Sequence, residues 1–132
     1  MKNTTAFIIE KETPVANMIR YHLLAHQVKQ VQIFPSVSEC LYCMRKRSIP
    51  DFLIADLGHP EIEAESFLDT VLHSCPGIRV LFLSPFADDT LVAHLMEKGA
   101  TDYIQTSGNM DLWIQELVKN MEFLLREKSR MN

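Results

Sequence analysis

The chain has 132 residues, 47% of them hydrophobic and 23% charged, which suits one domain with a real core and excludes a disordered segment. Thirteen basic against seventeen acidic residues, a formal charge of −4, do not predict the basic surface that direct nucleic-acid binding needs. Three cysteines without a signal-peptide pattern argue against a disulfide scaffold and for a reducing cytoplasm, and no apolar stretch approaches the ~18 residues of a membrane span.

Taken in chain order, the pattern alternates. Ala6-Phe7-Ile8-Ile9 is short, apolar and partly β-branched, as a strand buried on both faces should be. Thr13-Pro14 reads as an N-cap followed by proline at the first helical position, and Val15, Met18, Ile19 and Leu23 follow at helical spacing. Val31 to Phe34 is a second strand. Ser36 and Glu39 form an S-x-x-E capping box ahead of the stripe Val37, Cys40, Leu41 and Met44. Phe52 to Ala55 is a third strand ending at Asp56, with a polar turn at His59-Pro60 after it. A helix bearing Phe67, Leu68, Val71 and Leu72 follows and stops at Cys75-Pro76-Gly77. Arg79 to Leu83 is a fourth strand ending at Ser84-Pro85. Asp88 and Asp89 favour a helix N-terminus, and Leu91, Val92, Leu95 and Met96 carry that helix to Gly99. Asp102-Tyr103-Ile104 is a short fifth strand. A long last helix bears Ile114, Leu117, Val118, Met121, Leu124 and Leu125 and ends near Lys128.

Strands start near residues 6, 31, 52, 79 and 102, so one domain spans residues 1–132 in five β-α units. Such alternation predicts an α/β three-layer sandwich with a parallel sheet between helices. Right-handed crossovers make it doubly wound, with chemistry beyond the carboxyl ends of the strands. The residues there are Glu10-Lys11, Asp56, Ser84 and Gln105-Thr106.

Those strand ends resemble response-regulator receiver domains of two-component signalling. Phe7-Ile8-Ile9-Glu10-Lys11-Glu12-Thr13-Pro14 is similar to the first strand and acidic turn of that family. Pro50 to Pro60 resembles its phosphoacceptor strand and following loop. Val80-Leu81-Phe82-Leu83-Ser84 and Gly99-Ala100-Thr101-Asp102-Tyr103-Ile104 are similar to strand four and the approach to strand five. The ordered set runs from about residue 5 to about residue 125.

The resemblance implies a flavodoxin-like (βα)5 fold with strand order 2-1-3-4-5. It implies a phosphorelay function, with a histidine kinase or phosphotransfer protein supplying the phosphoryl group to Asp56. It implies Mg²⁺ held by Glu10, Asp56 and Gly58, a phosphoryl pocket at Lys11, Ser84 and Thr106, and Tyr103 as a switch aromatic. It also implies contact with self or an output domain through the helix 4–strand 5–helix 5 face, to which Met110 and Trp113 would add apolar area. The pocket departs from the pattern. Lys11 replaces the second carboxylate of the strand-one pair, and Thr106 stands where a lysine follows strand five. Weak or absent Mg²⁺ binding is therefore expected, with the Lys11 ammonium as countercharge to Asp56.

Plainer readings stand beside these. Asp56 could cap a turn, Glu10 could be a solvated acid, Ser84 an ordinary turn residue, and Tyr103 simple packing. Cys40-Leu41-Tyr42-Cys43 has C-x-x-C spacing but no second ligand pair, and the five histidines are scattered. An enzyme is not expected: the four glycines build no phosphate loop, and no nucleophile constellation is present. The alternative to a phosphoacceptor is a phosphorylation-independent pseudo-receiver that docks or dimerises.

Overall fold

The structure, a computed structural model, describes residues 1–59, 62–86 and 88–131, with side chains as far as residue 127. Pro60, in the predicted turn, lies outside the described residues. Strands β1 (Thr5–Ile9), β2 (Gln30–Phe34), β3 (Phe52–Asp56), β4 (Arg79–Ser84) and β5 (Asp102–Gln105) alternate with helices α1 (Thr13–Ala25), α2 (Val37–Lys46), α3 (Ala64–Ser74), α4 (Asp89–Glu97) and α5 (Met110–Met131). All pairings are parallel and the order is β2-β1-β3-β4-β5.

The two-residue repeat of the strands splits the core into two layers. Phe7, Ile9, Leu53, Ala55, Val80 and Phe82 face α2, α3 and α4, where Cys40, Met44, Phe67, Leu68, Val71 and Leu95 meet them. Ala6, Ile8, Phe52, Ile54, Leu81 and Leu83 face α1 and α5, against Ile19, Leu23, Ile114, Leu117 and Met121. Burying each large aliphatic side chain is worth roughly 1.5–3 kcal/mol, so strands covered on both faces hold the fold together. Chain order reverses between β1 and β3, and the cleft of an open α/β sheet belongs there.

Helix starts follow capping chemistry. Ser36 Oγ accepts from the Glu39 amide at 3.1 Å, Asp88 Oδ1 from the Leu91 amide at 3.1 Å, and Glu63 Oε2 from the Ser66 amide at 2.8 Å. The first helix departs from expectation: Glu12, not Thr13, is the N-cap residue, and its side chain makes no capping bond. The Glu12 amide is instead drawn back onto Glu10, which starts the helix one residue early. The turn at Gly77 needs no left-handed backbone, whereas Gly99, closing α4, has φ +114°. Trp113 is also relocated. It is 7% exposed, packed in the α1/α5 layer, so it adds nothing to an outer face.

Candidate functional site

The register brings two acids together. Ile9 pairs with Ala55, so Glu10 and Asp56 follow side by side at the ends of adjacent strands. Glu10 is 5% exposed, and its Oε1 accepts the Glu12 amide at 3.0 Å. Asp56 is half-buried, and its Oδ1 accepts the Gly58 amide at 3.1 Å. A Cβ at Gly58 would lie 3.4 Å from both Asp56 oxygens, so glycine keeps the carboxylate accessible. Burial raises the Glu10 pKa from 4.5 to about 7, opposed by the Glu12 amide and reinforced by the charge of Asp56 and a hydrogen bond with it.

Above them opens a cleft of about 440 Å³ lined by Glu10, Lys11, Glu12, Asp56, Thr106 and Trp113, among others. Lys11 is exposed there, and among the described residues no ion pair joins it to Asp56. The expected countercharge is thus near at hand but unpaired, because an exposed ammonium gains little by giving up its hydration. Thr106 reaches the cleft from the end of β5, where its amide donates to the Ser84 carbonyl at 2.7 Å. Ser84 is buried, and its Oγ accepts the Phe86 amide at 3.2 Å. That hydroxyl bonds within its own turn, while its neighbours Leu83 and Pro85 line the cleft. Tyr103 is half-buried beside the α2–α4 layer, and its hydroxyl donates to the Phe86 carbonyl at 3.2 Å.

Other participants came only from the tertiary structure. Glu12 enters the cleft, and Trp113, expected on the outer face, lines it as well. His59 is buried, with Nε2 2.6 Å from the Pro35 carbonyl oxygen, and ties the loop after β3 to the turn after β2. The C-x-x-C pair is chemically quiet. Cys40 and Cys43 are buried free thiols, and burial with the neighbouring Cys43 pushes Cys40 up to about 12.

Among the described residues, no group of three or more His, Cys, Asp or Glu is arranged around a metal position. The donor chemistry still fits a hard divalent ion. Mg²⁺ keeps several waters and uses one or two carboxylates, and Glu10 beside Asp56 supplies two whose repulsion a cation would relieve.

The fold, a parallel sheet of order 2-1-3-4-5 between two layers of helices, is shared with known structures. A response regulator receiver domain protein (CheY-like) from Methanospirillum hungatei JF-1 superposes with TM-score 0.82 at 17% identity, covering 98% of this chain and 99% of that one. The fold is that of a response-regulator receiver domain. A second receiver domain, from Clostridium thermocellum, gives TM-score 0.79 at 18% identity over 98% and 99% of the two chains. By sequence, the transcriptional regulatory protein CreB of Escherichia coli (strain K12) is 29% identical over 104 residues, 79% of this chain. The chain spans less than half of that protein, 44% of its length. No family model matches the chain. Among the described residues of this receiver fold, no helix is long and apolar enough to cross a membrane.

Proposed function

We propose that the chain is a signalling receiver that accepts a phosphoryl group on Asp56 from a histidine kinase or phosphotransfer protein. The carrying observation is Asp56 itself: an accessible carboxylate at the end of β3, beside buried Glu10 in the switch-point cleft. In the transfer, the bond from phosphorus to the donor's histidine nitrogen breaks as an Asp56 oxygen forms a new one. Catalysis of this kind is positioning plus stabilisation of charge on the equatorial oxygens. The Gly58 amide holds one Asp56 oxygen and leaves the other to attack. Lys11, on a flexible stem at the cleft wall, is the cation able to reach a phosphoryl oxygen, and Thr106 offers a hydroxyl where the family has a lysine. Glu10 and Asp56, with the Gly58 carbonyl, would hold Mg²⁺, which when bound supplies positive charge to the transferring group. Lys11 weakens that binding by like-charge repulsion.

One observation favours the phosphorylation-independent alternative: no lysine follows β5, where Thr106 stands instead. Incubation with Mg²⁺ and a small-molecule phosphodonor, read by intact mass with Asp56→Asn as blank, separates the two. Slow labelling confined to Asp56 supports the phosphoacceptor, and no labelling at any Mg²⁺ concentration supports the docking module.

Output is proposed to pass through the α4–β5–α5 face to self or to an output domain. Phe86 and Leu112, 73% and 65% exposed, supply the apolar area there that Trp113 does not.

A further inference from the structure

Away from the cleft, an apolar slot of about 200 Å³ opens between α2 and α3, walled by Leu41, Met44, Ile49, Val71 and Cys75. It continues through Ile49, Ser74 and Cys75 into a more open depression beneath the α3–β4 turn, edged by Arg79. Arg45 stands on the wall of the slot, while the Arg79 guanidinium turns to the α1/α5 face of the sheet, 5.4 Å over the Phe52 ring. Lys46 and Arg47 extend the basic run at the exposed end of α2. Ile49, at the junction, is 55% exposed.

The nearby acids are committed elsewhere. On α3, Glu65 holds His94 at 2.7 Å and Asp69 holds Lys98 at 3.2 Å, both toward α4, which leaves Thr70 and Ser74 facing the slot. Asp51, at the rim, accepts the Thr5 amide at 2.8 Å and the Thr5 hydroxyl at 3.3 Å. Among the described residues, no carboxylate lies at ion-pair distance from Arg45, Lys46, Arg47 or Arg79. A chain of net charge −4 thus sets Arg45, Lys46 and Arg47 together at one side of an apolar hole.

We propose that this slot docks an acidic peptide segment of a partner protein, which inserts one large apolar side chain between α2 and α3 and sets a carboxylate on Arg45, beside Lys46 and Arg47. The hole has the size for one side chain, and buried apolar anchors ringed by charge are how small interfaces gain affinity and register. A bilayer meets convex apolar surface and does not reach into such a concavity, so an anionic membrane is the disfavoured occupant. The site lies on other elements than the Asp56 cleft and stands whether or not Asp56 is phosphorylated.

The test uses the ¹⁵N-labelled chain and a short synthetic peptide of glutamates and serines with one central phenylalanine. Saturable amide shifts at Leu41, Arg45, Ile49, Thr70, Ser74 and Cys75 are expected. Arg45→Glu and, independently, the slot-filling Thr70→Trp are each expected to weaken binding at least about tenfold. Both positions are surface sites on helices, and the dispersion of the spectrum reports folding in the same experiment. A peptide with alanine in place of phenylalanine is expected to bind at least about tenfold more weakly. The proposal is overturned by absence of saturable shifts up to millimolar peptide, by shifts centred elsewhere, or by equal binding of the alanine peptide. Tighter binding to anionic vesicles than to the peptide, lost in the same variants, would overturn it in favour of a membrane.

Discussion

Glu10 and Asp56 leave adjacent parallel strands at matched positions and both line the cleft, Glu10 buried and Asp56 half-buried. Their roles diverge for that reason. Glu10 gives up its charge readily, and half-buried Asp56 is the more accessible of the two carboxylates.

Stability should record this. The Glu10 carboxyl is protonated in both folded and unfolded chains below pH 4.5 and ionised in both above about pH 7. Between those values the folded state holds the extra proton, so this group's contribution to stability falls as pH rises. Glu10→Gln, always neutral, should remove that slope and stabilise the chain at pH 8 by on the order of 2–3 kcal/mol in chelator-containing buffer. Urea unfolding of both proteins at pH 4 and pH 8 measures it, and an unchanged slope would count against the buried-acid reading.

Lys11 controls the charge of the cleft. Lys11→Asp should bind Mg²⁺ at least about tenfold more tightly, because it exchanges repulsion for an oxygen ligand. The same variant should label faster at Asp56 with a small-molecule phosphodonor, by intact mass. Rapid Mg²⁺-dependent labelling of the natural chain would show that Lys11 is no impediment.

Gly99 should resist substitution. Its φ of +114° disfavours any side chain, and an added Cβ would lie 2.8 Å from Leu72 Cδ1. Gly99→Ala is expected to cost about 1–3 kcal/mol, read from the denaturation midpoint. Gly77→Ala, where a Cβ meets nothing within 4 Å, is the control and should change stability by less than about 0.5 kcal/mol.

The outer face makes a separate prediction. Leu112→Glu combined with Phe86→Ser should leave stability within about 1 kcal/mol, since both side chains are largely solvated. It should abolish any self-association seen by sedimentation velocity. Oligomers that survive the double variant would place the contact on another face.

The sequence by itself determined the layered architecture, because strand and helix periods are local. Runs such as Ala6 to Ile9 and Phe52 to Ala55 read as doubly covered strands, and Ser36 and Asp88 announced their helices through their own side chains. It also brought Glu10, Lys11, Asp56 and Thr106 to one edge of the sheet, since parallel strands deliver all their carboxyl ends to the same side. What only the tertiary structure decided was which way side chains turned. Trp113 belongs to an amphipathic helix, and nothing in its spacing distinguished the inner wall of the cleft from an outer contact. The Ser84 hydroxyl accepts the Phe86 amide, and Lys11 stays exposed without pairing with Asp56. His59 found the Pro35 carbonyl across 24 residues of chain. These outcomes depend on competition among long-range partners for hydrogen bonds and solvent, and that competition exists only once the strands are side by side.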